Sequence, residues 1–153
     1  PYTREASIPR RTETLASQAQ ASVSIPYGGY GLNDRFEPRN SADKSMQFHN
    51  WWQCLGTEEW AQYEWDQPMT LTEASVYWLE LGHYDIDFQL PVSWRLEYKA
   101  GEKWLPVKNT DPYEIAKDKY CTVHFQPVRT KALRLTAQLQ EGKSAGILEW
   151  KVR

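Results

Sequence analysis

Phe48, His49, Trp51 and Trp52 stand within five positions of one another. Tyr84, Asp85 and Asp87 form a second short cluster, and Tyr113 lies in a third connection. A pyranose has an apolar C–H face that an aromatic ring can cover, and hydroxyls that need directed hydrogen bonds. Aromatics interleaved with His and Asp supply both, so these eight residues are the candidates for receiving such a ring. One of two adjacent tryptophans packs into a core; Trp52 is expected to be the packed one and Trp51 the exposed one. The competing reading of His49 is a loop histidine satisfied by its own neighbours.

Catalytic chemistry is poorly supplied by comparison. A glycosidase needs two carboxyl groups roughly 5–10 Å apart across a cleft. Asp85 with Asp87 and Glu58 with Glu59 are the adjacent acid pairs, but residues two apart in an extended segment point to the same side. His49, His83 and His124 show no metal-ligand spacing. Neither a Gly-x-Ser-x-Gly elbow nor a phosphate-binding loop occurs. The chain therefore reads as a non-enzyme.

Composition narrows the class. The 153 residues carry 18 Lys plus Arg against 20 Asp plus Glu, a formal charge of −2. That balance lacks the basic excess of a nucleic-acid partner. Mean hydropathy is −0.73, yet 8 Trp, 9 Tyr and 4 Phe are far more aromatic residues than a disordered chain holds. No apolar run approaches the roughly 18 residues needed for membrane insertion. The chain starts with Pro1, not Met, so it is expected to be excised from a longer polypeptide or processed. Cys54 and Cys121 make no disulfide framework; free thiols are expected, with Cys121 facing inward.

The elements that must hold these residues are strands. Val92, Trp94, Leu96 and Tyr98 alternate with polar residues, as do Leu133, Leu135, Ala137 and Leu139, then Cys121, Val123 and Phe125, then Leu148, Trp150 and Val152. Period two marks half-buried strands. Residues 74–80, ASVYWLE, are apolar on both faces and predict a central strand. Turn signals fall at 66–68, 99–101, 108–112 and 141–146, and only 113–119 suits a short helix. The pattern predicts an all-β fold, an antiparallel jelly-roll β-sandwich. Residues 1–18 read as a linker or N-terminal arm, and 19–153 as the module. Three connections, 26–56, 81–91 and 108–120, are longer than a hairpin needs, and long loops in compact domains are usually functional.

Several strings carry a resemblance: ASVSIPYGGYGLND, SADKS, FHNWWQCLGTEEWAQYEW, ASVYWLE, LPVSWRLEY, EKWLPV and VHFQPVRTKALRLTAQLQEGKSAGILEWKV. Together they resemble a galactose-binding-like (discoidin, or coagulation-factor type C) β-sandwich module. More narrowly they are similar to the C-terminal module of bacterial β-L-arabinofuranosidase-type glycoside hydrolases. The resemblance implies sugar binding at loops on one end of the sandwich, here at His49, Trp51, Tyr84, Asp85, Asp87 and Tyr113. It also implies a structural Ca²⁺ held by Asp34 and Glu149 with the Leu32 carbonyl and Ser41, an oxygen-only set suited to calcium. Glu149 is placed on the outward face of its strand by alternation. Arg35 stands where a Gly commonly follows the Asp in such modules, a departure that either disfavours the tight turn or places a positive charge beside the site.

These readings converge on a non-catalytic carbohydrate-binding accessory module of a secreted polysaccharide-degrading enzyme. Its expected partners are a plant or host polysaccharide and a catalytic domain of the same parent chain. Location outside the cytoplasm (secreted, periplasmic or cell-surface) follows from the resemblance alone. The rival is a structural module that packs against its catalytic domain and has no ligand.

Overall fold

The computed structural model describes residues 13–82 and 87–153. Residues 1–12 of the expected arm, and Tyr84 and Asp85 of the expected site, lie outside them. The strands are β1 (Gln20–Val23), β2 (His49–Asn50), β3 (Glu58–Leu79), β4 (Leu81–Gly82), β5 (Asp87–Phe88), β6 (Ser93–Ala100), β7 (Lys103–Pro106), β8 (Tyr120–Gln138) and β9 (Gly146–Val152). A single 3-10 turn, Ala16–Gln18, is the one helical element among the described residues. The 113–119 segment forms no helix; Glu114 N–H bonds back only to the Pro112 carbonyl.

Two long strands organise the fold. β3 and β8 pair antiparallel from Glu58 opposite Gln138 to Tyr77 opposite Tyr120. The register breaks between Glu64 and Met69, where Trp65 to Pro68 oppose Lys131 alone. A bulge of this kind bends both strands sharply, and Pro68 has no N–H to give the ladder. The turn signal at 66–68 is thus a corner inside one strand, not a break between two. Each long strand consequently serves two layers. The first half of β3 joins β1, the second half of β8, β6 and β7. Its second half joins β9, β2 and the first half of β8. The hydrogen-bonded path runs β2-β9-β3-β8-β6-β7, with β1 added on β3, while β4 and β5 form a separate hairpin.

The two layers face each other across an aromatic core. Tyr63 of the first layer stacks on Trp150 of the second, with centroids 4.0 Å apart and planes 15° apart. Its hydroxyl donates to the Trp150 carbonyl at 2.8 Å. Trp94 meets Trp78 edge-on at 5.8 Å and donates its Nε1–H to the Glu114 carbonyl. Aromatic pairs of this geometry add about 0.5–1.5 kcal/mol beyond their buried area. Cys121 is buried and free, and Cys54 is half-buried and free. On the outer face of the first layer, Arg134 lies between Trp60 and Trp104, 4.2 and 4.4 Å from the ring centroids.

Alternation is followed closely, with two exceptions. Trp94, Leu96, Leu133, Leu135, Ala137 and Leu139 are buried, whereas Val92 precedes β6 and is 58% exposed. In β9 a register shift puts Tyr77 opposite Glu149 but Trp78 opposite Ile147. Leu148 is the extra residue, so it joins Glu149 on the far face instead of Trp150. There it packs with Phe36, Met46, Tyr77, Leu79 and Phe88 in a second cluster. The connection 33–48 covers that face. Glu149 is therefore 2% exposed, not solvent-facing as alternation suggests.

The end of the expected arm also belongs to the packed body. Ala16 is buried in the main core, and the Leu15 carbonyl accepts from Trp65 Nε1 at 2.7 Å. Because β3 folds over at its corner, both its ends reach the same end of the sandwich. Trp51 N–H donates to the Ala145 carbonyl, Gly56 N–H to the Lys143 carbonyl, Leu139 N–H to the Thr57 carbonyl and Gln89 N–H to the Ser144 carbonyl. The connections after β1, β2, β5 and β8 converge there.

Candidate functional site

At that end an open groove of about 550 Å³ lies between the 25–30 loop and the 48–54 segment. Its rims are Tyr27 (81% exposed), Tyr30 (63%) and Trp52 (56%). Phe48, Asn50 and Gln53 continue the wall, and His49 lines it from below. The geometry starts from the pairing of His49 with Ile147. That pairing fixes the phase of the segment: His49 and Trp51 turn inward, Asn50 and Trp52 outward. Trp51 is 0% exposed, its N–H and carbonyl held by Ala145 and by Ser144 Oγ. Trp52 is presented by an Asx turn in which its N–H donates to Asn50 Oδ1 at 2.9 Å. The expected roles of the two tryptophans are therefore exchanged.

Two close approaches fix His49. A Cβ on Gly28 would lie 2.6 Å from its ring atoms Cε1 and Nδ1, and a Cβ on Gly146 2.6 Å from its carbonyl oxygen. Gly29 N–H donates to His49 Nδ1 at 2.9 Å, which leaves the ring proton on Nε2, where it has no protein partner. Burial depresses the His49 pKa to about 3, so the imidazole is neutral at ordinary pH. Its ring meets Trp51 edge-on at 4.7 Å.

Tyr27 and Tyr30 were not singled out from the sequence. Their signal was the PYGGYG run, 26–31, in which glycines at positive φ (Gly28, Gly29 and Gly31) let the backbone close over His49 and turn both tyrosines to solvent.

No protein-family model matches the chain. Similarity to solved structures is extensive. A structure from a study of the Streptococcus pneumoniae β-galactosidase BgaA aligns with a TM-score of 0.71 and 18% identity, covering 94% of each chain. A CBM32 module of Clostridium perfringens, solved with GalNAc-β-1,3-galactose, aligns with a TM-score of 0.61 and 10% identity over 90% of this chain and 96% of that one. Chitosan-binding module 2 of a Paenibacillus sp. IK-5 chitosanase/glucanase, solved with chitotriose, aligns with a TM-score of 0.57 and 16% identity over 91% and 98%. The fold is the galactose-binding-like β-sandwich.

Within this galactose-binding-like frame the other expected contacts separate. Asp87 reaches the same end, where its carbonyl accepts from Ser144 N–H; its carboxylate is paired with Lys143 Nζ at 2.7 Å. Tyr113 does not join the groove. Its hydroxyl accepts from Leu96 N–H at 3.1 Å, and its ring packs on Trp94 at 4.9 Å, so it plugs the sandwich behind β6. The adjacent acids have partners too: Glu58 binds Arg95 at 3.0 Å, and Glu59 accepts from Ser24 and Thr57.

The expected metal ligands also separate. Asp34 and Glu149 come together: burial first, then the Asp34 charge and a hydrogen bond with it, push the Glu149 carboxyl well above its ordinary range. Glu149 Oε2 accepts from Arg35 N–H at 3.1 Å, while its Oε1 is buried without a hydrogen-bond partner. Two crowded carboxylates with an orphan oxygen suit a hard cation. The Leu32 carbonyl lies at hand but accepts from Trp150 N–H at 2.8 Å. Ser41 is elsewhere: its Oγ accepts from Asp118 N–H at 2.7 Å, and its own N–H donates to Asp118 Oδ1. Among the described residues no three His, Cys, Asp or Glu side chains gather as a metal set, so a cation here would lean on backbone carbonyls. Arg35 adopts φ 69°, in the left-handed region that a Gly would enter without steric cost.

Proposed function

We propose that the chain is a non-catalytic carbohydrate-binding module of a glycoside hydrolase, and that the Tyr27–Trp52 groove is its sugar site. The observation that carries this is the exposure of three aromatic rings around one groove at the loop end of a rigid sandwich. Monomers rarely leave such rings open without use, and sugar C–H faces are what aromatic rings cover. Tyr hydroxyls and the Asn50 and Gln53 amides supply directed hydrogen bonds. A shallow site of this type binds with Kd near the millimolar range, about −4 kcal/mol. Tethering then raises the local substrate concentration for a catalytic domain in the same parent chain. Secretion and a role in polysaccharide degradation belong to the same reading, as does a structural Ca²⁺ between Asp34 and Glu149 that would neutralise the paired acids and tie the 31–37 loop to β9.

A glycan-array or affinity-gel screen of the chain, with and without Ca²⁺, tests the reading. Retention by at least one glycan is expected, lost in Trp52→Ala and Tyr27→Ala variants whose melting temperatures stay near the parent value. No retention by any glycan would leave the sandwich as a packing module for its catalytic domain.

A further inference from the structure

We infer that the groove accepts uncharged glycans and rejects both carboxylate-bearing and ammonium-bearing sugars. This inference deepens the carbohydrate reading of the groove and rests on it. None of the eleven described residues that line the groove is Lys, Arg, Asp or Glu. Charged residues make up 25% of the chain, so a surface of average composition and that size would carry about three. The hollow at the opposite end of the sandwich exceeds that average, with Glu64, Lys99, Glu102, Arg129 and Lys131 in its lining. The fold leaves the question open, since its members described above were solved with chitotriose and with the neutral GalNAc-β-1,3-galactose.

The physical argument is one of desolvation without compensation. A uronate entering the groove sheds water from an ionised group and meets no cation. A glucosamine ammonium meets ring faces, which attract it weakly at exposed sites, but no lining carboxylate; Glu59, behind Cys54, is engaged by Ser24 and Thr57. A neutral sugar loses only hydroxyl hydration, which Tyr27, Tyr30, Asn50 and Gln53 can replace. His49 does not alter this balance. Its Nδ1 is occupied by Gly29 N–H, and with a pKa of about 3 it stays neutral even in mildly acidic solution.

Matched probes test this directly on the whole chain by calorimetry at mildly acidic pH. Tri-N-acetylchitotriose is compared with chitotriose, and methyl-esterified trigalacturonate with trigalacturonate, beside galactose, N-acetylgalactosamine, L-fucose and L-arabinose. The neutral member of a binding pair should be at least about tenfold tighter, and affinity should change less than about twofold between low and high salt. Trp52→Ala should abolish it. Equal or tighter binding of a charged member, or steep loss with salt, would overturn the charge inference while leaving the groove a sugar site. Absence of binding by every probe, or binding untouched in both Trp52→Ala and Tyr27→Ala, would overturn the carbohydrate reading itself, and this inference with it.

Discussion

His49 and His124 mark two regions built on opposite principles. His49 is 1% exposed, wedged between Gly28 and Gly146, and kept neutral by burial. His124 stands on the surface of β8 between two acids, with Nδ1 2.6 Å from Asp111 and Nε2 3.2 Å from Glu73. The groove region excludes charge and uses the ring as a wall. The His124 region gathers charge, with the imidazole joining the 108–119 connection to β3. One residue type thus serves a binding surface in one place and a surface tie in the other, with burial deciding for His49 and the Asp111 and Glu73 carboxylates for His124.

The strongest way to break this contrast is through Trp51, which seals His49 from below. Trp51→Ala should cost about 3–5 kcal/mol in denaturant unfolding and should raise the His49 pKa toward 6.5 by admitting water. Trp52→Ala, one residue away, should cost under about 1 kcal/mol. Equal costs would mean that the inward and outward phases of this segment are misassigned.

Acid comes next. The His49 pKa is lowered in the folded state, so its neutral form is favoured fully above the unfolded value of 6.5. Stability is then lost as pH falls from 6.5 toward about 3. The full loss is on the order of 3–5 kcal/mol. A His49→Gln variant should flatten that part of the stability–pH profile. A profile that keeps its slope in the variant would place the acid sensitivity elsewhere.

Much of this architecture was legible because strand periodicity is local. The inward set Trp94 and Leu96, the set Leu133 to Leu139, and the doubly buried 74–79 run follow from sequence alone. What was not legible depends on pairing between distant segments. Leu148 changes face because β9 carries an extra residue opposite the Tyr77–Trp78 step. The exchange of Trp51 and Trp52 is set by the pairing of His49 with Ile147. Tyr113 and Ser41 looked like site residues by type and loop position, but each is consumed by one backbone partner, Leu96 and Asp118. Tyr27 and Tyr30 sat in a visible glycine-rich run, yet only the closure of that run over His49 shows that they face solvent.

A smaller effect sharpens the picture at the paired acids, where burial and the Asp34 charge favour the protonated Glu149 carboxyl in the absence of a cation. If Ca²⁺ binds there, mass action stabilises the fold by about 2.7 kcal/mol at a hundredfold excess over Kd. Melting temperature should rise with Ca²⁺ and fall with chelator. Asp34→Ala and Glu149→Gln should erase the response, while Ser41→Ala should keep it, because Ser41 is committed to Asp118. A melting curve indifferent to Ca²⁺ would sink the cation, and a response lost with Ser41 would return that residue to the ligand set.

The smallest effect belongs to His124. The hydrogen bond to Asp111, then the charges of Asp111 and Glu73, raise its pKa above 6.5, and the backbone and ring donors of His124 lower that of Asp111. The sign is opposite to that of His49. A raised folded-state pKa contributes stability that is complete below 6.5 and disappears as pH rises through the folded value. Solvent screens this pair heavily, because the His124 side chain is 56% exposed, and surface ion pairs of this kind contribute little. The contrast is therefore best read by NMR titration of the two imidazoles in one sample. His124 should titrate above 6.5, and His49 should show no inflection until the protein approaches acid unfolding. His124→Ala should lower the melting temperature slightly in mildly acidic buffer and leave it unchanged in alkaline buffer. A His124 titration at or below 6.5 would show that Asp111 and Glu73 do not hold its proton, and the region would lose its claim to be a charged tie.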